Sequence, residues 1–174
     1  RGKTFVAKNI TRHLNWLGIP SNIFNAGNFR RKVLGSSAPS SLFDPSNKEG
    51  QLVRQRCVEM ALDGAIDSLQ QGSCLAVLDA TNSTRERRQW LQVEVQKRSQ
   101  SSNREGGREG TALGIYLVFL ELTCDDDARV WNNVKDAKLH SPDYAGWKAE
   151  DAMQDFYERI GKYRSIYEPC SEEE

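Results

Sequence analysis

Gly2-Lys3-Thr4, at the mouth of a helical stretch, reads as the back half of a phosphate-binding loop. The complete pattern is a glycine, four residues, then Gly-Lys-[Ser/Thr] opening a helix. Its backbone N–H groups cradle phosphates, the lysine reaches the β/γ oxygens, and the hydroxyl ligates Mg²⁺. Such a tripeptide also arises by chance, so its meaning depends on the rest of the chain. Asp79 is the second residue of this kind. It ends the apolar run Cys74-Leu75-Ala76-Val77-Leu78, where a Walker-B aspartate holds magnesium or its water. The plainer reading is a turn or helix-capping aspartate; the Gly-Lys-Thr helix earlier in the chain favours the metal-holding one.

Arginines supply the third ingredient. Thr84-Arg85-Glu86-Arg87-Arg88 puts three cations at a helix N-terminus, against the helix dipole, which is costly unless an anion lies nearby. Phosphate fits, because helix N-termini and arginine forks both suit it. Thr84 is the candidate N-cap. A solvated basic face accounts for at least one of the three, with Arg88 or Arg85 first in line. A second basic loop, residues 27–32, carries Arg30 and Arg31, and Arg54 and Arg56 begin another helix. Clusters of this kind at one end of a sheet would serve an anionic substrate in addition to a nucleotide.

Alternating elements must position these groups. Val6, Ile10, Leu14 and Leu17 give residues 4–17 a helical stripe, ended by Gly18 and Pro20. Residues 21–25 read as a short strand and 35–47 as an irregular loop. The next helix carries Val53, Cys57, Met60 and Ala61 on one face. Residues 74–79 suit a strand buried on both faces, 84–97 a helix, and 114–122 another buried strand. Residues 98–111, mostly Ser, Gly, Arg and Glu, read as a disordered surface insertion. A helix over 125–138 and a last one bearing Met153, Phe156, Ile160 and Tyr163 complete the chain. This alternation predicts an α/β fold: a parallel sheet with helices on both faces, in three layers, and functional loops at the carboxyl ends of the strands.

The totals narrow the function classes. A chain of 174 residues makes one domain with a real core. Lysine plus arginine equals aspartate plus glutamate, 24 against 24, which argues against a nucleic-acid binder working through bulk charge. No apolar run approaches the roughly 20 residues of a membrane span. Cys57, Cys74, Cys124 and Cys170 lack metal-ligand spacing and read as reduced thiols of a cytoplasmic protein. The absent initiator methionine and the half motif read as a fragment.

The segments Thr11-Arg12-His13-Leu14-Asn15-Trp16-Leu17-Gly18, Phe24-Asn25-Ala26-Gly27-Asn28-Phe29-Arg30-Arg31, Asp79-Ala80-Thr81-Asn82-Ser83-Thr84-Arg85-Glu86-Arg87-Arg88 and Ser141-Pro142-Asp143-Tyr144 together resemble the kinase domain of the 6-phosphofructo-2-kinase/fructose-2,6-bisphosphatase family. The resemblance spans nearly the whole chain, and residues 98–111 stand as an insertion within it. It implies a P-loop nucleoside triphosphate hydrolase-like kinase fold, ATP and Mg²⁺ as cofactors, and transfer of the γ-phosphoryl to the 2-hydroxyl of fructose 6-phosphate. Gly2, Lys3 and Thr4 then belong to the phosphate loop, with Thr4 and Asp79 on the metal and Lys3, Asp79, Cys124 and Lys138 at the catalytic centre. Asn133, Val134, Lys135, Asp136, Ala137 and Lys138 match an ATP-contacting stretch. Arg30, Arg54, Thr81, Arg87, Arg159 and Tyr163, again with Lys138, match the fructose 6-phosphate positions. Arg159 and Tyr163 lie one helical turn apart and share a face. On its chemistry, Cys124 is equally a packed thiol, with no base in the sequence pattern to activate it.

The resemblance further implies a kinase domain entered inside the P-loop and left before its last strand. In the full-length protein it implies a C-terminal bisphosphatase domain and a homodimer. No phosphatase activity is expected of residues 1–174, because neither His13 nor His140 sits in the Arg-His-Gly of that activity. Two readings from the residues stay open beside it: another small-molecule P-loop kinase, and a non-catalytic P-loop module that binds a sugar phosphate or a partner.

Overall fold

A computed structural model of the chain describes residues 2–35, 40–101, 114–137 and 141–171. The described residues build a mixed α/β molecule with a small parallel sheet, and the chain divides into two compact units. Residues 26–59 and 122–167 make the first unit; residues 2–25, 60–121 and 168–174 make the second.

The second unit holds the sheet. Helix α1 (Lys3–Trp16) runs from Gly2, whose φ of 97° lies in the left-handed region that glycine occupies without strain. It buries Ala7 and Thr11 and packs on both strands. Its end is fixed by the Asn15 side-chain amide, which donates to the Ser21 carbonyl (2.8 Å) and accepts from the Ser21 N–H (2.9 Å). That pairing delivers the chain directly into strand β1 (Ser21–Asn25). β1 pairs in parallel with β2 (Leu75–Asp79), in a register that sets Asn25 opposite Asp79. Both strands end together, so their last side chains meet at one carboxyl edge. Residues 75–78 of β2 are half-buried and only Asp79 is buried, unlike the fully buried strand expected from its apolar run. Among the described residues the sheet has two strands, which leaves each with one unpaired edge.

Helix α3 (Lys48–Gln70) gives residues 60–70 to this unit and packs Ala61, Leu62, Ala65 and Ile66 inward. Gly64 allows the approach to β1: a Cβ there would stand 3.0 Å from the Phe24 ring. Helix α4 (Arg85–Ser101) adds Leu91 and Val95 to the core. It runs past the expected boundary at residue 97, so residues 98–101 of the expected insertion are helical; residues 102–111 lie outside the described part. Residues 114–122 do not form the expected buried strand. They carry no ladder, and Tyr116 and Val118 are 93% and 83% exposed. Their apolar content predicted burial, but a strand is made by a neighbour's backbone.

The first unit is helical. Residues 27–32, expected as a basic loop after β1, lie within helix α2 (Ala26–Leu34). A 3₁₀ turn (Ser40–Phe43) and residues 48–59 of α3 follow. Helix α5 (Asp127–Ala137) starts where the Asp126 carboxylate accepts the Arg129 N–H at 3.0 Å, an N-cap contact. A second 3₁₀ turn (Pro142–Tyr144) and helix α6 (Ala149–Arg164) complete it. Val130 and Val134 of α5 pack on Ile160 of α6, with Cys124, Phe156 and Tyr157 around them.

Candidate functional site

Candidate side chains gather in each of the two units. In the second unit the parallel register brings Asn25 and Asp79 side by side, and α1 directs Thr4 to the same point. The Thr4 hydroxyl donates to Asp79 Oδ2 at 2.6 Å, and the Asn25 amide donates to that same oxygen. Asp79 is 6% exposed. A buried carboxylate needs strong compensation, and two neutral donors supply only part of it. A hydroxyl and a carboxylate oxygen in contact are hard ligands of the type a Mg²⁺ ion takes alongside phosphate and water. Among the described residues no group of three or more His, Cys, Asp or Glu side chains forms a metal cage. Gly2, the N-cap of α1, and Lys3, its first residue, are exposed at a helix N-terminus, the end of the helix that favours anions. Asn25 had no role in the sequence reading beyond the resemblance. The register alone reveals it, since only strand pairing sets it against Asp79.

Beyond β2 the chain passes through Thr81, which is exposed, into α4. Thr84 caps that helix as expected, its Oγ1 accepting the Arg87 N–H at 3.2 Å. The anion that the three arginines demanded is an internal one. Glu168 Oε2 accepts the Arg85 N–H at 2.5 Å, in the position assigned above to a phosphate. The Arg87 guanidinium lies 5.4 Å from the Trp90 ring centre. Arg88, one of the two candidates for a solvated face, is instead 2% exposed.

In the first unit the cations surround one carboxylate. Asp143 Oδ1 and Oδ2 each accept from Arg30 Nη2 at 2.7 Å, with Arg31 Nη1 at 3.4 Å and Arg159 Nη1 at 3.9 Å. Arg30 is 5% exposed, and its buried Nη1 has no hydrogen-bond partner among the described residues. Three guanidinium groups against one carboxylate leave an excess of positive charge. Arg159 also stacks over Phe43, its Cζ 3.9 Å from the ring centre, and donates to the Tyr144 hydroxyl at 3.0 Å. Tyr163, one turn along α6, also meets Phe43, with ring centres 6.1 Å apart, so the shared face expected for Arg159 and Tyr163 is present. Arg54 donates to the Leu42 carbonyl and pins the first 3₁₀ turn; burial lowers its pKa, opposed by Tyr163 and Asp44. Tyr144 donates to Asp155 at 2.8 Å, and burial first, then that carboxylate, push its phenol up to about 12.

Asp143, Tyr144, Phe43 and Asp155 carried no role in the sequence reading. The Ser141-Pro142-Asp143-Tyr144 motif was the available signal. The ATP-contacting stretch falls on α5, where Asn133 and Lys135 are exposed but Val134 is taken up by the core, 2% exposed. The side chains of Asp136 and Ala137, and the whole of Lys138 and His140, lie outside the described residues. Cys124 packs against the α5–α6 core, its Sγ 3.9 Å from the Asp126 carbonyl, which is the surrounding of a packed thiol.

Comparison with known proteins gives this arrangement a family. The family model described as 6-phosphofructo-2-kinase matches residues 1–174. A 6-phosphofructo-2-kinase/fructose-2,6-bisphosphatase of Gallus gallus is 37% identical over 174 residues, covering 99% of this chain and 34% of the relative. Form 3 of Homo sapiens is 36% identical over 170 residues, covering 97% and 30%. Form 4 of Rattus norvegicus is 35% identical over 175 residues, covering 100% and 34%. The chain thus spans about a third of the length of these relatives. With a match along its whole length, the chain belongs to the 6-phosphofructo-2-kinase family.

Proposed function

We propose that the protein transfers the γ-phosphoryl group of ATP to the 2-hydroxyl of fructose 6-phosphate, making fructose 2,6-bisphosphate. The observation that carries this reading is the family match over all 174 residues. The finer fold we infer is the three-layer, P-loop nucleoside triphosphate hydrolase-like one. Its support is the parallel β1–β2 pair with the Thr4–Asp79 contact at its carboxyl edge.

Phosphoryl transfer asks for positioning and charge neutralisation more than covalent work by the protein. Lys3 and the α1 N-terminus suit the nucleotide phosphates. Thr4 and Asp79 would hold Mg²⁺, which when bound neutralises charge on the phosphate oxygens. Asn25, by donating to Asp79 Oδ2, fixes the orientation of that carboxylate. Arg30, Arg159, Arg54 and Tyr163 suit the sugar phosphate in the first unit, and the unsatisfied Arg30 Nη1 is the donor with most to gain from it. Thr81 and Arg87 in the second unit, and Lys138, match further fructose 6-phosphate positions, and residues 133–138 match an ATP-contacting stretch. Cys124 has no assigned step. As in its relatives' names, a bisphosphatase activity would belong to a further domain, and a homodimer in the cytoplasm is the assembly we infer.

The test is turnover by the full-length protein. Incubated with Mg·ATP and fructose 6-phosphate, it should yield ADP and one new phosphate ester, placed at C2 by phosphorus NMR. Release of inorganic phosphate with no sugar product, or phosphorylation at another carbon, would sink the reading.

A further inference from the structure

Arg88 is one of the two largest fully buried side chains among the described residues, and it is charged. Its guanidinium joins two segments far apart in sequence. Nη1 donates to the Asn82 carbonyl (3.1 Å) and the Glu168 carbonyl (2.9 Å), and Nη2 to the Pro169 carbonyl (3.0 Å). The returning chain grips the same loop from its own side. The Glu168 N–H donates to the Ser83 carbonyl at 2.8 Å, and its carboxylate accepts the Arg85 N–H at 2.5 Å. Arg85 Nη2 reaches Ser171 Oγ at 2.9 Å. The loop that leaves β2 is therefore held at Asn82, Ser83 and Arg85 by a strap of residues 168–171.

The clamped positions flank the proposed sugar-phosphate contacts. Thr81 immediately precedes Asn82, and Arg87 immediately precedes Arg88. Neither Thr81 nor Arg87 needs to take part in the clamp; each is fixed by a neighbour that does. We propose that Arg88 and Glu168 are positioning residues: through the 168–171 strap they hold the 81–87 segment in the geometry that receives the sugar phosphate. This rests on the kinase reading above and adds residues that touch neither substrate. A lysine cannot take over at Arg88, because a single ammonium does not reproduce the planar fork that reaches carbonyls on two segments. Glu168 works at once as a backbone partner and as the internal anion at the α4 N-terminus, which is why α4 tolerates Arg85, Arg87 and Arg88 in its first turn.

The test compares Arg88→Lys, Arg88→Met and Glu168→Gln with the parent in the full-length protein, reading KM for fructose 6-phosphate, KM for ATP, kcat and thermal stability. Losing a charge-assisted contact should raise the sugar-phosphate KM about tenfold and leave the ATP KM within about twofold. Glu168→Gln keeps both backbone contacts and the side-chain shape, so it decides the matter if the Arg88 variants do not fold. Equal changes in both KM values, or a lowered Tm with unchanged kinetic constants, would overturn the positioning role while leaving the kinase reading standing. A parent protein with no turnover would defeat the kinase reading alone. The strap is then judged by the fructose 6-phosphate affinity of the same variants in calorimetry, where parent and variant binding equally, or not at all, overturns it.

Discussion

Removing Asp143 should cost more stability than removing the arginine it holds. The pair is buried, with Arg30 5% and Asp143 7% exposed, and one guanidinium nitrogen sits 2.7 Å from both carboxylate oxygens. Opposite charges 4 Å apart attract by about 4 kcal/mol at an effective dielectric of 20. Desolvation of both ions offsets much of that, so the whole pair adds little net stability. The two single deletions are not alike, however. Arg30→Met leaves Asp143 with Arg31 at 3.4 Å and Arg159 at 3.9 Å, and replaces the stem with an apolar chain of similar length. That variant should lose about 1–2 kcal/mol. Asp143→Ala strands three guanidinium groups together, one of them buried, and should lose about 3–5 kcal/mol, a large part of the 5–15 typical of a domain. Urea unfolding followed by tryptophan fluorescence measures both, since Trp131 and Trp147 lie in the same unit. Inorganic phosphate should then restore part of the loss in Asp143→Ala, because it binds the folded state's uncompensated arginines. If Arg30→Met proves as damaging as Asp143→Ala, or phosphate leaves the latter unmoved, the idea of a shared counter-ion fails.

Three further outcomes follow from particular contacts. Asn25→Ala removes one of two donors to Asp79 Oδ2 and should lower kcat about tenfold with little change in Tm; an unaltered kcat in steady-state assays would set Asn25 aside. Burial raises the Tyr144 phenol from 10.0 to about 12, so the folded state holds that proton longer than the unfolded one. Its contribution is complete below pH 10 and is lost as pH rises towards 12; alkaline unfolding should lose this part of its slope in Tyr144→Phe. Cys74 is exposed whereas Cys57 is buried, with burial raising its thiol pKa, so iodoacetamide should modify Cys74 first and Cys57 last by peptide mass spectrometry.

Much of the site's local frame was legible because it is written in neighbouring residues. The first helix, the bounds of β1, the strand ending at Asp79 and the Thr84 cap all follow from spacing of a few residues and agree with the structure, although of the stripe Val6, Ile10, Leu14 and Leu17 the last is exposed beyond the helix end. Local reading failed where neighbours misled. The polar, arginine-bearing residues 27–32 suggested a loop, yet α2 continues through them, with Arg30 anchored to a carboxylate 113 residues away. Residues 114–122 have the composition of a buried strand, but composition does not supply the adjacent backbone.

The sequence by itself determined which residues could do phosphate chemistry, and in what order they occur: Gly2-Lys3-Thr4, then Asp79, then the arginines of α4. Tertiary structure alone decided what each arginine does. Arg85, Arg87 and Arg88 are indistinguishable as letters in one helical turn. The return of the chain at Glu168, 80 residues on from Arg88, buries one and caps the helix at another, Arg85, whose side chain stays exposed, while Arg87 lies half-buried against Trp90. Burial and counter-charge are properties of whatever arrives from elsewhere in the chain, and no pattern within a single turn encodes them.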